Sequence, residues 1–217
     1  MPDCQVAPLY RRKWHRLSPA SKGSGKSTLV EAIAVAAGFN AEGGSRNFTF
    51  ATRRSESELH RHLTLVRGSR RPTDGFFLRA ESLFNVATEI ENLGVRLDDY
   101  GGKSLHEQSH GESFLALAVH RFRGHGLYIL DEPEAALSPS RQLAMLRLIH
   151  DLVAHKSAQL VIATHSPILM AYPHATIYLL DGQGIRSVDY EETEHYQVTR
   201  DFMTTREQFL RHLLSDD

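Results

Sequence analysis

Two short runs in which every residue is apolar, Leu127–Leu130 and Leu160–Ala163, constrain this chain more than any other feature. A strand with one wet face alternates apolar and polar residues. A strand apolar at every position has to be covered on both sides, as in a parallel sheet sandwiched between helices. The intervening segments carry the complementary signal. Lys26–Ala37 places Leu29, Ala32, Ile33 and Ala36 at helical spacing, with Gly38 as its stop. Glu81–Leu93, Ser113–Phe122 and Pro139–His155 read as further helices, the last with proline near its start. Phe48–Phe50, Leu63–Val66 and Gly75–Leu78 are short strand candidates. Ile177–Leu180 and Ile185–Val188 suit a closing hairpin around Gly182–Gly184, and helices near Glu192–Arg200 and Arg206–Leu214 finish the chain. Helix alternating with buried strand predicts an α/β fold with a mainly parallel central sheet flanked by helices. The length suits one domain over residues 1–217.

Both apolar runs end in reactive side chains. In open parallel sheets, ligands bind beyond the carboxyl ends of the strands. Leu127–Leu130 is followed by Asp131 and Glu132, which suit a Mg²⁺ ligand and a general base for an attacking water. Asp-Glu-Pro is also a good turn, and by itself that reading stands level with the functional one. Leu160–Ala163 is followed by Thr164-His165-Ser166, where a histidine could meet a phosphate or the attacking water, or could be an ordinary core histidine.

A third element precedes the first helix. Gly23-Ser24-Gly25-Lys26-Ser27-Thr28 has the small residues that let backbone N–H groups curl around phosphate oxygens. Lys26 would reach the β- and γ-phosphates and the Ser27 hydroxyl would ligate Mg²⁺. The full loop pattern begins with glycine, and Ala20 stands there instead. The preceding residues, Arg11 to Pro19, are too basic for the buried strand such a loop normally leaves. The expectation is an N-terminal strand that is degenerate, within an atypical segment 1–20. A fourth element, Ser109-His110-Gly111-Glu112, opens a helix with the spacing of a capping box. It could equally be an anion site in which Ser109 and backbone N–H groups face a γ-phosphate.

Charge and composition narrow the class. The formal net charge is −1, so the chain is not built mainly to coat nucleic acid. Residues 1–75 carry a balance of +7 and residues 76–217 a balance of −8, which suits two solvated faces and leaves a weak nucleic-acid surface open. No run of 18 apolar residues suggests a membrane span. A lone cysteine, Cys4, and an N-terminus without an apolar core of the signal-peptide type suit the cytoplasm.

Taken in order, Gly-Lys-Ser, Ser-x-Gly-Glu, apolar-Asp-Glu-Pro and Thr-His-Ser resemble the ABC-type ATPase superfamily of P-loop NTPases. The match looks closest to small bacterial AAA-family ATPases, cousins of SMC-type and break-repair ATPases, and covers about Lys22 to Asp217. The resemblance implies roles. Gly23, Ser24, Gly25, Lys26, Ser27 and Thr28 form the Walker A loop. Ser109, Gly111 and Glu112 form the signature loop, with His110 where glycine is common. Asp131 and Glu132 are Walker B and the catalytic glutamate. Ser138 stands in the D-loop where aspartate is more usual, and His165 is the switch histidine. Glu81 stands at the Q-loop position as a metal-site residue. The resemblance also implies ATP and Mg²⁺ as ligands, ATP hydrolysis, head-to-tail homodimerisation on ATP, and a further protein partner. Two alternatives stay open: an ATP-binding subunit of an ABC transporter, and a degenerate nucleotide-binding module without hydrolysis.

Overall fold

The computed structural model describes residues 25–46, 57–66, 68, 71–92 and 102–215 in full, and the backbone of 14–19. Six strands form one sheet in the order β2-β3-β4-β1-β5-β6. They are β1 (Trp14–Pro19), β2 (Asp74–Arg79), β3 (Gly126–Asp131), β4 (Gln159–Ala163), β5 (Ala175–Asp181) and β6 (Gly184–Val188). The first five run parallel to their neighbours, and β6 closes as an antiparallel hairpin on β5. Among the described residues, seven α-helices accompany them: α1 (Lys26–Ala36), α2 (Leu83–Asn92), α3 (His110–Arg121), α4 (Pro139–Ala154), α5 (Pro167–Met170), α6 (Glu194–Thr204) and α7 (Arg206–Leu214).

The two-residue period of the strands sorts the core into two layers. Phe76, Leu78, Tyr128, Leu130, Leu160 and Ile162 point to one face. There they meet α2 through Leu83, Val86 and Ile90, α3 through Phe114 and Leu117, and α4 through Met145, Ile149 and Leu152. The intervening residues Phe77, Ile129, Val161 and Ala163 point to the other face and pack on Leu29, Val30 and Ile33 of α1. Burying a side chain of this size contributes about 1.5–3 kcal/mol. The two faces therefore share the stabilisation, as the wholly apolar runs require. Beside β2, Gly44 exchanges two backbone hydrogen bonds with Phe77, at 2.7 and 3.0 Å, which covers part of that edge of the sheet.

The segment before the phosphate loop corrects the sequence reading. Despite its basic side chains, Trp14–Pro19 forms a strand in the middle of the sheet, with His15 opposite Val161 and Thr176. The reason is topological. Strands β4 and β5 are not neighbours, and β1 supplies backbone donors and acceptors to both. Ladder hydrogen bonds do not depend on side-chain type. Leu63–Val66 is the opposite correction. It forms no strand, although Leu63 and Leu65 are half-buried against the α1 layer and Thr64 and Val66 are exposed. The alternation is present, but no neighbouring strand pairs with it. The candidate at Phe48–Phe50 lies outside the described residues.

Candidate nucleotide site

The carboxyl ends of β2, β3 and β4 and the start of α1 meet at one edge of the sheet. Gly25 precedes α1 with φ +79° and ψ +11°. A Cβ there would meet nothing within 4 Å, so the left-handed backbone, and not space, calls for glycine. The turn sends Lys26 inward. Its side chain is only 4% exposed, and its ammonium donates to Glu132 Oε1 at 3.0 Å. The next residue, Ser27, donates its hydroxyl to Asp131 Oδ1 at 3.2 Å. Thr28 faces solvent. Gly23, Ser24 and Ala20 lie outside the described residues.

Asp131 ends β3 in a buried position, and Glu132 follows with φ +50° and ψ +50°. A left-handed glutamate is strained by about 1–2 kcal/mol. It is held there by its backbone N–H, which donates to Ala163 O at 2.9 Å. The turn sets the two carboxylates in different surroundings. Burial pushes Asp131 up to about 6, against the lowering effect of Arg79 and with a further rise from Glu132. Burial also raises Glu132, but the hydrogen bond and charge of Lys26, helped by His165, outweigh it and hold Glu132 below the usual carboxylate range. His165 Nε2 stands 3.5 Å from Glu132 Oε1. Burial and the charge of Lys26 hold His165 below the usual histidine range. Lys26, Ser27, Asp131, Glu132 and His165, spread over 140 positions of the chain, thus form one connected cluster.

Oxygen donors from Ser27 and Asp131, side by side beneath a lysine, suit Mg²⁺, which takes few protein ligands and relies on phosphate oxygens and water for the rest. Glu81 does not join them. Its side chain is 83% exposed and its contact is with Arg79, at 3.9 Å.

The signature-loop residues occupy a separate place. Ser109 donates both its N–H and its hydroxyl to Glu112 Oε2, at 3.1 and 2.6 Å, at the start of α3. Glu112 Oε1 takes an ion pair from Arg141 of α4 at 2.9 Å. These hydrogen bonds hold Glu112 below the usual carboxylate range. A Cβ on Gly111 would stand 2.6 Å from Ala136 O, so glycine is required where the loop before α4 crosses α3. Ser138 accepts from Arg141 N at 3.5 Å as the N-cap of α4. Among the described residues, no hydrogen bond or ion pair joins Ser109, Gly111 or Glu112 to the Lys26 cluster.

Three residues at the site escape motif reading. Arg79 closes β2 directly opposite Asp131, with Nε 3.4 Å from Asp131 Oδ2 and a second nitrogen 3.0 Å from Glu31 Oε2 of α1. Its signal was present: a charge ending an apolar run, as Asp131 does. Glu134 accepts from the Thr164 hydroxyl at 2.7 Å and, in a shorter contact, from the backbone N–H of His165. His195, at the start of α6, stands 3.0 Å from His165 Nδ1. Nothing in its neighbourhood of sequence announces that contact.

The chain is similar to several known proteins. A family model described as "AAA domain, putative AbiEii toxin, Type IV TA system" matches residues 93–171. The thiamine import ATP-binding protein ThiQ of Cereibacter sphaeroides is 31% identical over 181 residues, covering 75% of each chain. A Geobacter sulfurreducens protein, "Putative ABC transporter ATP-binding protein GSU3001", is 30% identical over 123 residues, covering 56% of this chain and 43% of that one. The solved structure of cbiO1 from Clostridium perfringens, part of the ABC transporter complex cbiONQ, is similar with a TM-score of 0.49 and 16% identity, over 94% of this chain and 88% of that chain. Identity of this level, sustained over three quarters of both chains, means that the chain belongs to the ABC-type ATPase superfamily.

Proposed function

We propose that this protein binds ATP with Mg²⁺ and hydrolyses it, acting in the cytoplasm as a single ABC-type domain that pairs head to tail with a second copy. The observation that carries the proposal is the contact chain from Lys26 through Glu132 to His165, beside the Ser27–Asp131 pair. The triphosphate lies at the N-terminus of α1, where backbone N–H groups and the helix dipole favour anions. Lys26 turns from Glu132 to the phosphate oxygens. Glu132, released from its ion pair, orients and polarises the attacking water, and His165 stands beside it as a donor. Ser27 and Asp131 would hold Mg²⁺, which when bound would neutralise charge at the phosphate oxygens. Ser109, which bonds Glu112 and not the Lys26 cluster among the described residues, would turn to the nucleotide of the opposite subunit. Energy released on hydrolysis drives a protein partner whose identity is open, and the charge does not point to nucleic acid.

The test combines turnover with oligomeric state. Glu132→Gln keeps the shape of the site but removes the base, and it accumulates an ATP-bound dimer at saturating ATP and Mg²⁺. Monomer under those conditions refutes the head-to-tail mechanism. Lys26→Ala abolishes turnover, and an unchanged rate removes Lys26 from the site.

A second reading has direct support from the ThiQ relative: an ATP-binding subunit of an importer. No helix among the described residues is long and apolar enough to cross a membrane, so such a subunit acts through a separate membrane partner. Steady turnover by the purified chain with no membrane protein present favours the first reading. Turnover that appears only with a reconstituted membrane partner favours the second. Tight ATP binding without phosphate release in either setting identifies a non-hydrolysing module.

A further inference from the structure

The turn that carries His165 is fixed from two directions. Glu134 takes the Thr164 hydroxyl and the His165 backbone N–H, and Ser166 N donates back to Thr164 Oγ1 at 3.0 Å. The backbone is therefore set, but the imidazole still has a choice of ring orientation and of tautomer. His195 Nε2 lies 3.0 Å from His165 Nδ1, with the two rings inclined at 57°. At that distance one of the two nitrogens carries the proton.

The carboxylate beside the other ring nitrogen of His165 decides which. If His165 Nδ1 were the donor, its Nε2 would present a bare lone pair to Glu132 Oε1, 3.5 Å away. His195 would then carry its own proton on Nδ1. That atom is buried and has no hydrogen-bond partner among the described residues. A buried donor or acceptor left unmade costs about 1–3 kcal/mol, so this atom weighs equally on both arrangements. In the reverse arrangement the bare lone pair facing Glu132 is gone, whereas His195 Nδ1 has no partner among the described residues in either case. His195 Nε2–H donates to His165 Nδ1, His165 Nε2–H points at Glu132, and His195 Nδ1 is left as an unprotonated acceptor.

We infer that His195 is a positioning residue of the nucleotide site, donating from Nε2 to hold the His165 imidazole with its proton on Nε2, directed at Glu132. The inference rests on the ATPase reading for its catalytic consequence, but the hydrogen bond itself does not. The frame around His195 fits this role. Thr193, almost wholly buried, caps α6 by accepting from Tyr196 N at 3.4 Å, and the Tyr190 hydroxyl donates to Pro167 O at 3.0 Å, two residues past His165. These contacts seat the first turn of α6 on the His165 turn. Helix α6, which buries none of its own residues, thereby places one side chain at the chemistry.

The experiment uses the full chain with ATP and Mg²⁺, and compares wild type with His195→Phe and His195→Gln. Phenylalanine keeps a ring but removes the donor, whereas glutamine restores an N–H donor at similar reach. In His195→Phe, kcat falls about 10-fold, the size of one neutral hydrogen bond lost at the transition state, while KM for ATP is unchanged. His195→Gln recovers most of that loss. Thermal melts confirm that both variants fold. Nitrogen-15 spectra of the histidine rings give a readout independent of turnover: His165 in the wild type is protonated on Nε2, with Nδ1 accepting a hydrogen bond that disappears in His195→Phe. A wild-type His165 protonated on Nδ1 overturns the inference. So does a His195→Phe enzyme with full kcat, or a His195→Gln enzyme as slow as His195→Phe. If the wild type releases no phosphate at all, the hydrolysis reading fails while the ring spectra still decide the role of His195.

Discussion

Replacing Asp131 by asparagine should stabilise the nucleotide-free, metal-free protein while destroying the proposed Mg²⁺ site. The reasoning starts from where the carboxylate sits. Asp131 is buried at the end of β3, and desolvation lifts its pKa from 3.8 to about 6 even with Arg79 beside it. A carboxylate raised in the folded state opposes folding once it ionises. Below about pH 4 both states hold the proton and nothing is lost. As pH rises, the unfolded chain ionises first, so stability falls until the folded carboxylate ionises near pH 6. Above that the full penalty applies, about 3 kcal/mol at 1.36 kcal/mol per pKa unit. Asparagine has no such charge and still offers an oxygen to the Ser27 hydroxyl. Arg79 keeps Glu31 at 3.0 Å and the Ala41 carbonyl at 3.3 Å. Urea and thermal melts in chelator should therefore show Asp131→Asn more stable than wild type by up to about 3 kcal/mol near pH 8. For a chain of this size the rise in Tm is about 6–12 °C. The gap should close as pH falls to about 4. Adding ATP and Mg²⁺ should reverse the order, because ligand binding stabilises only the protein that can take it up. An Asp131→Asn protein no more stable than wild type near pH 8, or a gap that does not change with pH, refutes the reasoning.

Two further predictions concern packing of the fold. The buried Tyr128 hydroxyl donates to Asp74 Oδ2 at 2.8 Å and accepts from the backbone N–H groups of Arg123 and Gly124 at 2.9 and 3.1 Å. Tyr128→Phe leaves those groups unmet and should cost about 1–3 kcal/mol in urea melts, and an unchanged midpoint counts against it. Gly111→Ala drives a methyl to 2.6 Å from Ala136 O, and should lower stability by about 1–3 kcal/mol through displacement of the loop before α4. A melt matching wild type shows that the crossing has room to yield.

What was legible in the sequence followed period and punctuation. The two wholly apolar runs became β3 and β4, each buried on both faces, and helices α1, α3, α4 and α7 lie within a few residues of their periodic segments. Asp131, Glu132 and His165 were legible because each directly follows a buried strand, and Lys26 because a glycine turn precedes it. What stayed hidden depended on neighbours distant in sequence. Leu63 and Leu65 alternate as a strand would, yet a strand exists only where another chain segment offers its ladder. Trp14–Pro19 carries the wrong charge for a central strand and forms one nonetheless, because its backbone pairs with both β4 and β5.

The same distinction explains the composition of the candidate site. Groups placed to touch phosphate or water follow local rules, since each must sit at a strand end or a helix start where the backbone opens toward a ligand. Groups that orient them obey no such rule. Glu134 reaches across from β3 to hold the β4 turn, Arg79 spans from β2 to β3 and α1, and His195 arrives from a C-terminal helix. Each needs only the right distance in the folded state, so any element passing nearby can supply it. The order of the candidate site residues along this chain is therefore read from motif, and the residues that set their geometry are read from the fold.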